Sequence, residues 1–267
     1  MNTKKLYATS LLLLSSLVLM QCNDTFLQDD EDGRIQITMF DEPAEYESVF
    51  VEIVSVEAHR QTGDQDSGWF TLSEDTVRTD LLELVAGNQE VLADTLLEPG
   101  TYQQIRLILG EDNKLVKDGQ EFDLHVPSGQ QTGIKLNVNA EIEPETTYAL
   151  ELDFDASRSI IPRGASGNYN LRPVIRVVTT ETSGTIAGNV EPADYSGFVH
   201  ATTEEDTVTT STSDNGDFQL RGVPDGTWKV TAESTSDDYD DSEVEDVEVA
   251  AGETTDIGTI QLQPVQQ

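Results

Sequence analysis

SDNGDFQLRGVPDGTWKV, Ser213 to Val230, carries two turn signals around one alternating run. Asp214-Asn215-Gly216 reads as a hairpin turn, because Asn and Gly tolerate positive φ. Phe218 and Leu220 then face one side with period two. Pro224-Asp225-Gly226 makes a second turn, and Trp228 and Val230 return to that side. A run of this kind specifies β-strands whose inner faces share a core.

The same grammar extends in both directions. Upstream, Gly184-Thr185-Ile186-Ala187-Gly188-Asn189-Val190 opens a β pattern, followed by Phe198 to Ala201. Downstream come Val244 to Val249 and Ile257 to Leu262. These runs, at this spacing, predict a small sandwich of roughly seven strands over residues 184–263, with 264–267 as a tail. Residues 34–183 repeat the pattern at larger scale. Arg34 to Phe40, Gln104 to Leu109, Ile134 to Val138, Thr147 to Phe154 and Pro173 to Val178 alternate, and Ser48 to Glu57 alternates with one slip. Turns fall at Pro99-Gly100, Lys117-Asp118-Gly119 and Pro127-Ser128-Gly129. The expected fold class is all-β, two β-sandwich domains in series. One stretch, Arg78 to Ala86, reads as one or two helical turns with Leu81, Leu82 and Val85 on a shared face.

The start of the chain is of another kind. Lys4 and Lys5 precede an apolar stretch, Leu6 to Met20, shorter than the roughly 20 residues a spanning helix needs. The chain's only cysteine, Cys22, follows Leu19-Met20-Gln21. The segment resembles a lipobox, with residues 1–21 as a lipoprotein signal peptide and Cys22 as the diacylglycerol acceptor. Gln21 departs from the small residue usual before that cysteine. Residues 22–33 then form an acidic tether. This places the protein in the cell envelope, anchored to a membrane through lipid on Cys22. With Cys22 acylated, no thiol remains for disulfides, metal or nucleophilic catalysis.

The net charge is −36, from 15 basic and 51 acidic residues. The excess is spread: 34–183 carries 11 basic and 27 acidic residues, and 184–267 carries 2 and 19. A phosphate backbone would be repelled, so no nucleic-acid partner is expected. Scarce lysine beside abundant Asp, Glu and Thr resembles proteins of high-salt environments.

Two family resemblances rest on motifs. FDEPAEYESVFVEIVSVEAHR (Phe40 to Arg60), GWFTL (Gly68 to Leu72), DLLEL (Asp80 to Leu84), PGTYQQIRLIL (Pro99 to Leu109), HVPSGQQTGIKL (His125 to Leu136), LDFDASRSI (Leu152 to Ile160) and LRPVIRVV (Leu171 to Val178) stand in order. Together they resemble the family known as domain of unknown function 4382. Its members are typically lipoproteins or surface-associated, and no catalytic residue transfers from it. The G-x-I-x-G-x-V stretch at Gly184 to Val190, with Ser213 to Val230, resembles the carboxypeptidase regulatory-like domains. That implies a transthyretin-type, Ig-like sandwich acting as a non-catalytic module.

The residues offer little reactive chemistry. His59, His125 and His200 lack metal-ligand spacing. A triad from His125, Ser128 and an aspartate lacks the strand-elbow-helix context such sites use. Asp237, Asp238, Asp240 and Asp241, and the pair Asp153 and Asp155, supply hard oxygen ligands and are the calcium candidates, without the twelve-residue calcium loop. Alternation puts Asp153 and Asp155 on one face with Phe154 opposite, where Arg158, Arg172 or Arg176 would pair with them. Trp69, Phe70, Tyr169 and Tyr195 are the aromatic candidates for carbohydrate. The expectation is a non-enzymatic surface binding or structural module that needs no cofactor. The alternative is an accessory component of an uptake system, with a glycan or an envelope protein as partner.

Overall fold

The computed structural model describes residues 32–60, 68–127, 132–164, 167–192, 197–236 and 238–265. Cys22, Ser128, Tyr195 and Asp237 lie outside them. The first thirteen strands are β1 (Gly33–Asp41), β2 (Ser48–Arg60), β3 (Gly68–Ser73), β4 (Val77–Asp80), β5 (Glu90–Leu97), β6 (Gly100–Leu109), β7 (Lys114–Lys117), β8 (Gln120–His125), β9 (Ile134–Ile142), β10 (Thr147–Phe154), β11 (Ile160–Pro162), β12 (Tyr169–Leu171) and β13 (Ile175–Thr179). They form two sheets. One has the order β13-β10-β1-β5; the other has nine strands, β11-β12-β8-β7-β2-β6-β9, with β3 and β4 also paired to β2. Ile35, Ile37 and Met39 of β1 meet Val49, Val51 and Ile53 of β2 and Ile105 and Leu107 of β6 in one core.

The slip read in β2 is a β-bulge. Inward Val49, Val51 and Ile53 give way to Val56 and Ala58, and the register with β6 shifts between Ile53 and Ser55. An extra residue restores the alternation that a straight strand would lose. The helical expectation at Arg78 to Ala86 is corrected. β4 occupies its start, and only Leu81–Glu83 forms a 3-10 turn, capped by the Asp80 side chain. Leu81 and Leu84 are buried while Leu82 and Val85 are half-buried, so three-residue spacing won over the helical face.

The second unit contains β14 (Ser183–Glu191), β15 (Gly197–Thr202), β16 (Thr207–Ser211), β17 (Asp217–Pro224), β18 (Gly226–Ser234), β19 (Tyr239–Asp240), β20 (Ser242–Val249), β21 (Thr254–Gln261) and β22 (Gln263–Pro264). Sheets β17-β14-β21 and β16-β15-β18-β20 enclose a separate core built around Phe218, Leu220, Trp228 and Val230. The opening glycines allow close approach: a Cβ on Gly188 would sit 2.8 Å from the Phe218 ring and from the Gly258 carbonyl. Pro264, read as the start of a tail, instead pairs with Tyr239 through β22.

The two turns of Ser213 to Val230 connect differently from hairpins. Gly216 has φ +85° and donates to the Ser213 carbonyl at 2.9 Å. The strands on either side, β16 and β17, belong to opposite sheets, and so do β17 and β18. Each turn is a corner between sheets. The alternation survives because both inner faces bury into one core.

Candidate functional site

Chemistry concentrates where the two sandwiches meet. β17 is an edge strand, and its outward residues face the first sandwich. Arg221 donates from Nη1 to Glu151 Oε1 at 3.2 Å and from Nη2 to the Gly87 carbonyl at 3.4 Å. Gln89 Nε2 donates to the same Glu151 oxygen at 2.9 Å. The Ala86 amide donates to Thr210 Oγ1 at 3.2 Å. From the other side, Arg176 on β13 donates from Nη1 to the Gly222 carbonyl at 2.9 Å. Two arginines, one from each sandwich, thus cross the seam in opposite directions.

Arg176 also fixes an acidic group. Its Nε and Nη2 reach Asp153 Oδ2 at 3.0 and 2.6 Å. The pair follows from register, since Asp153 of β10 lies opposite Arg176 of β13. Asp155 follows the strand and caps a short helix, α1 (Ala156–Ser159). Its Oδ1 accepts from the Arg158 amide at 2.9 Å and the Ser157 hydroxyl at 2.7 Å. The expected pairing is therefore split: Asp153 goes to Arg176 and Asp155 to Arg158, while the Arg172 amide bonds the Ser159 carbonyl. Phe154 is fully buried on the core side.

Two acids with no role assigned from the sequence join them. Asp41 ends β1, which runs parallel to β10, and Glu42 follows it. Asp41 is 3% exposed, and its Oδ1 accepts from the Ala156 amide at 2.9 Å. Asp41 Oδ2 and Asp153 Oδ1 are buried without hydrogen-bond partners. Burial pushes the Asp41 carboxyl well above its ordinary range, helped by the charges of Asp153 and Asp155. Burial, then Asp153 and Asp155, raises Glu42 to about 7. Burial also raises Asp153, against the pull of Arg176. Glu42, Asp153, Asp155, Arg158, Arg176 and Asp206 line a cleft of about 510 Å³ between the sandwiches. The only signal in the sequence was the Asp-Glu pair before Pro43 at a strand's end.

The other sequence candidates among the described residues lie apart from this cleft. Asp238, Asp240 and Asp241 are exposed; Asp241 Oδ1 accepts from the Ser234 amide, and Asp238 closes a turn with Ser236. Among the described residues no group of three or more His, Cys, Asp or Glu is placed to hold a metal ion. The histidines sit on separate strands. His59 packs edge-on to Trp69 with ring centroids 5.1 Å apart, His200 lies between Thr209 and Glu233, and His125 ends β8 beside Asn170. Tyr169 packs against the core and Phe122, and Phe70 is exposed. Trp69 shares a row with His59, Gln104 and Asn137 across β3, β2, β6 and β9. The Arg106 guanidinium lies 4.1 Å from its ring centroid.

These features define a tandem β-sandwich protein with an ionic seam. The chain belongs to the family described as Domain of unknown function (DUF4382), whose model matches residues 32–173. A second model, Carboxypeptidase regulatory-like domain, matches residues 177–263. No curated protein matches the chain. Among solved structures, the chain is similar to a type II cohesin-X-dockerin complex from Acetivibrio cellulolyticus at 24% identity and TM-score 0.25. That match covers 30% of this chain and 58% of the other, a little over half its length. The shaft pilin SpaA from Lactobacillus rhamnosus GG aligns over 89% of this chain and 98% of its own at 11% identity and TM-score 0.27. The Bacillus anthracis TIE protein aligns over 87% of this chain and 34% of its own, at 14% identity and TM-score 0.23. At scores this low the overlaps bear on neither ligand nor partner.

Proposed function

We propose that the protein is a non-enzymatic module of the cell envelope, held to a membrane by lipid on Cys22 and extended from it as two clamped sandwiches. The observation that carries this reading is the seam. Its arginines, the groups best suited to transition-state work, are already committed to Asp153, Glu151 and two backbone carbonyls across the joint. Ionic side chains spent in this way position one domain on another. Among the described residues no helix is long and apolar enough to cross a membrane. The anchor is read from the lipobox-like Leu19-Met20-Gln21-Cys22. Mass spectrometry of the mature amino terminus tests it. A diacylglycerol thioether on Cys22, with release from membranes in Cys22→Ser, is the expected result; an unmodified cysteine in membrane-extracted protein would remove the anchor.

The row Trp69-His59-Gln104-Asn137 favours a second reading, accessory glycan or envelope-protein binding. The sheet face places a ring beside side-chain amides, with Gln104 and Asn137 hydrogen-bonded at 2.8 Å. A glycan array with the wild type and Trp69→Ala tests it: binding that the substitution abolishes supports it, and identical arrays reject it.

A further inference from the structure

The outer face of the nine-stranded sheet carries two neighbouring rows across β3, β2, β6 and β9. One is Trp69-His59-Gln104-Asn137, and the next is Thr71-Glu57-Arg106-Lys135. Residues two apart on a strand share a face, so the rows lie side by side. In a chain of net charge −36, the second row holds two cations and one acid. That acid is already taken: Glu57 Oε2 accepts from Arg106 Nε at 2.6 Å and also from Arg106 Nη2. Among the described residues Arg106 Nη1 donates to no group, and no carboxylate pairs with Lys135, which is exposed. Lys114 and Lys229, by contrast, each meet carboxylates. What Lys135 meets is the indole: its Nζ lies 5.5 Å from the Trp69 ring centroid, and the Arg106 guanidinium lies 4.1 Å from it. The electron-rich ring attracts both cations, so Trp69 gathers them into one patch.

We infer that this face binds a glycan through a single sugar carboxylate, of the uronate class, which pairs with Lys135 Nζ and Arg106 Nη1. The inference rests on the glycan reading of the same face and names its ligand. A carboxylate accepts from an ammonium and a guanidinium at once, and such charge-assisted bonds are the strong ones. The sugar hydroxyls fall to the adjacent row. Gln104 Nε2 donates to Asn137 Oδ1 at 2.8 Å, which leaves the Gln104 carbonyl and the Asn137 amide as an acceptor and a donor side by side. An acidic peptide would use the cations and leave this pair idle. The charge of the whole chain selects further. A densely charged polyanion is repelled, whereas one carboxylate among neutral sugars meets the patch within a Debye length, about 8 Å at physiological salt. Lys117 is the built-in control: it lies 5.8 Å from the Tyr46 ring centroid, on β7 and outside both rows.

Calorimetry on the detergent-solubilised full chain in about 0.15 M sodium chloride tests it. The probes are an aldotetraouronic acid (one glucuronate on a xylotriose chain), xylotriose itself and a capped Ala-Glu-Ala peptide. The expected result is saturable heat from the uronic acid, affinity weaker by about tenfold for xylotriose, and no heat from the peptide. Lys135→Ala brings the uronic acid down to the level of xylotriose, Lys135→Arg keeps most of the affinity, and Lys117→Ala changes nothing. Lys135 is exposed, so its variants keep the fold. Equal affinity for the two sugars, or an unchanged Lys135→Ala, would overturn the inference and leave the glycan reading standing. Peptide binding as tight as that of the uronic acid would replace the sugar with an acidic polypeptide. No saturable heat from either sugar also sinks the inference, and the glycan array then decides the broader reading by itself.

Discussion

The two sandwiches bury different things. The first hides Asp41, Asp80, Asn113, Asp153 and Ser159 among its apolar side chains. Among the described residues the second buries only Ser183 and Thr210 among polar side chains, and both face the first unit: Ser183 Oγ donates to the Thr179 carbonyl, and Thr210 Oγ1 accepts from Ala86. Both halves are strongly acidic, yet the acids among the second unit's described residues are exposed. The contrast teaches where buried polar groups have been given partners. A buried polar group is stabilising only when its partners are built around it. The first sandwich supplies such partners repeatedly: Asn113 Oδ1 accepts from the Glu52 amide while its Nδ2 donates to the Gly110 carbonyl, and Asp80 Oδ1 accepts from Val49 and Leu82. The second is a plain scaffold that closes one side of the cleft.

The contrast breaks most visibly in the scaffold's core. Phe218→Ala removes a ring that is 1% exposed and should cost about 3–5 kcal/mol in denaturant unfolding. A loss under about 1 kcal/mol would mean the second core is loosely packed. Next comes Arg176→Ala, which leaves Asp153 buried and unpaired. Because the Arg176 side chain is 42% exposed, the expected loss is about 2–4 kcal/mol rather than the full cost for a buried pair. Calorimetric melting checks it, and no change in melting temperature would show that the seam is not held there.

Glu42→Gln sharpens the comparison through pH. The folded Glu42 titrates near 7 against an ordinary 4.5, so the folded state binds the extra proton between those values. Its stabilisation is complete below about pH 4.5 and is lost as pH rises through 7. The effect is on the order of 2 kcal/mol once solvent at this partly exposed carboxyl is counted. The wild type should therefore melt lower at pH 8 than at pH 5.5, and Glu42→Gln should flatten that slope. An unchanged slope would remove Glu42 from the account. The smallest effect expected is that of salt. Raising sodium chloride from about 0.1 to 2 M screens a net charge of −36 and should lift melting by several degrees, whereas a flat response would argue against salt adaptation.

Legibility in the sequence followed range. Alternation located the Phe218–Val230 core face and the bulge of β2, because both depend on neighbours one or two residues away. It misassigned the strand partners of β17, since a shared core rewards inward residues whichever sheet they join. The Asp153–Arg176 pair was readable as one of three choices, as acid and base both stood on alternating strands. Asp41 and Glu42 were not readable. Their burial depends on β1 lying parallel to β10 and on the Asp41–Ala156 contact, 115 residues apart in sequence. Arg221 sat inside a quoted motif, yet its role exists only because β17 is an edge strand facing another domain.

The clamped seam is tested most directly by the two tryptophans, one in each sandwich. Trp69→Phe leaves Trp228 to report on the second unit, and Trp228→Phe leaves Trp69 to report on the first. Thermal unfolding of each, followed by fluorescence with calorimetry alongside, should give coincident transitions that separate when Arg176→Ala and Arg221→Ala are added. Two well-separated transitions with both arginines intact would contradict the clamp.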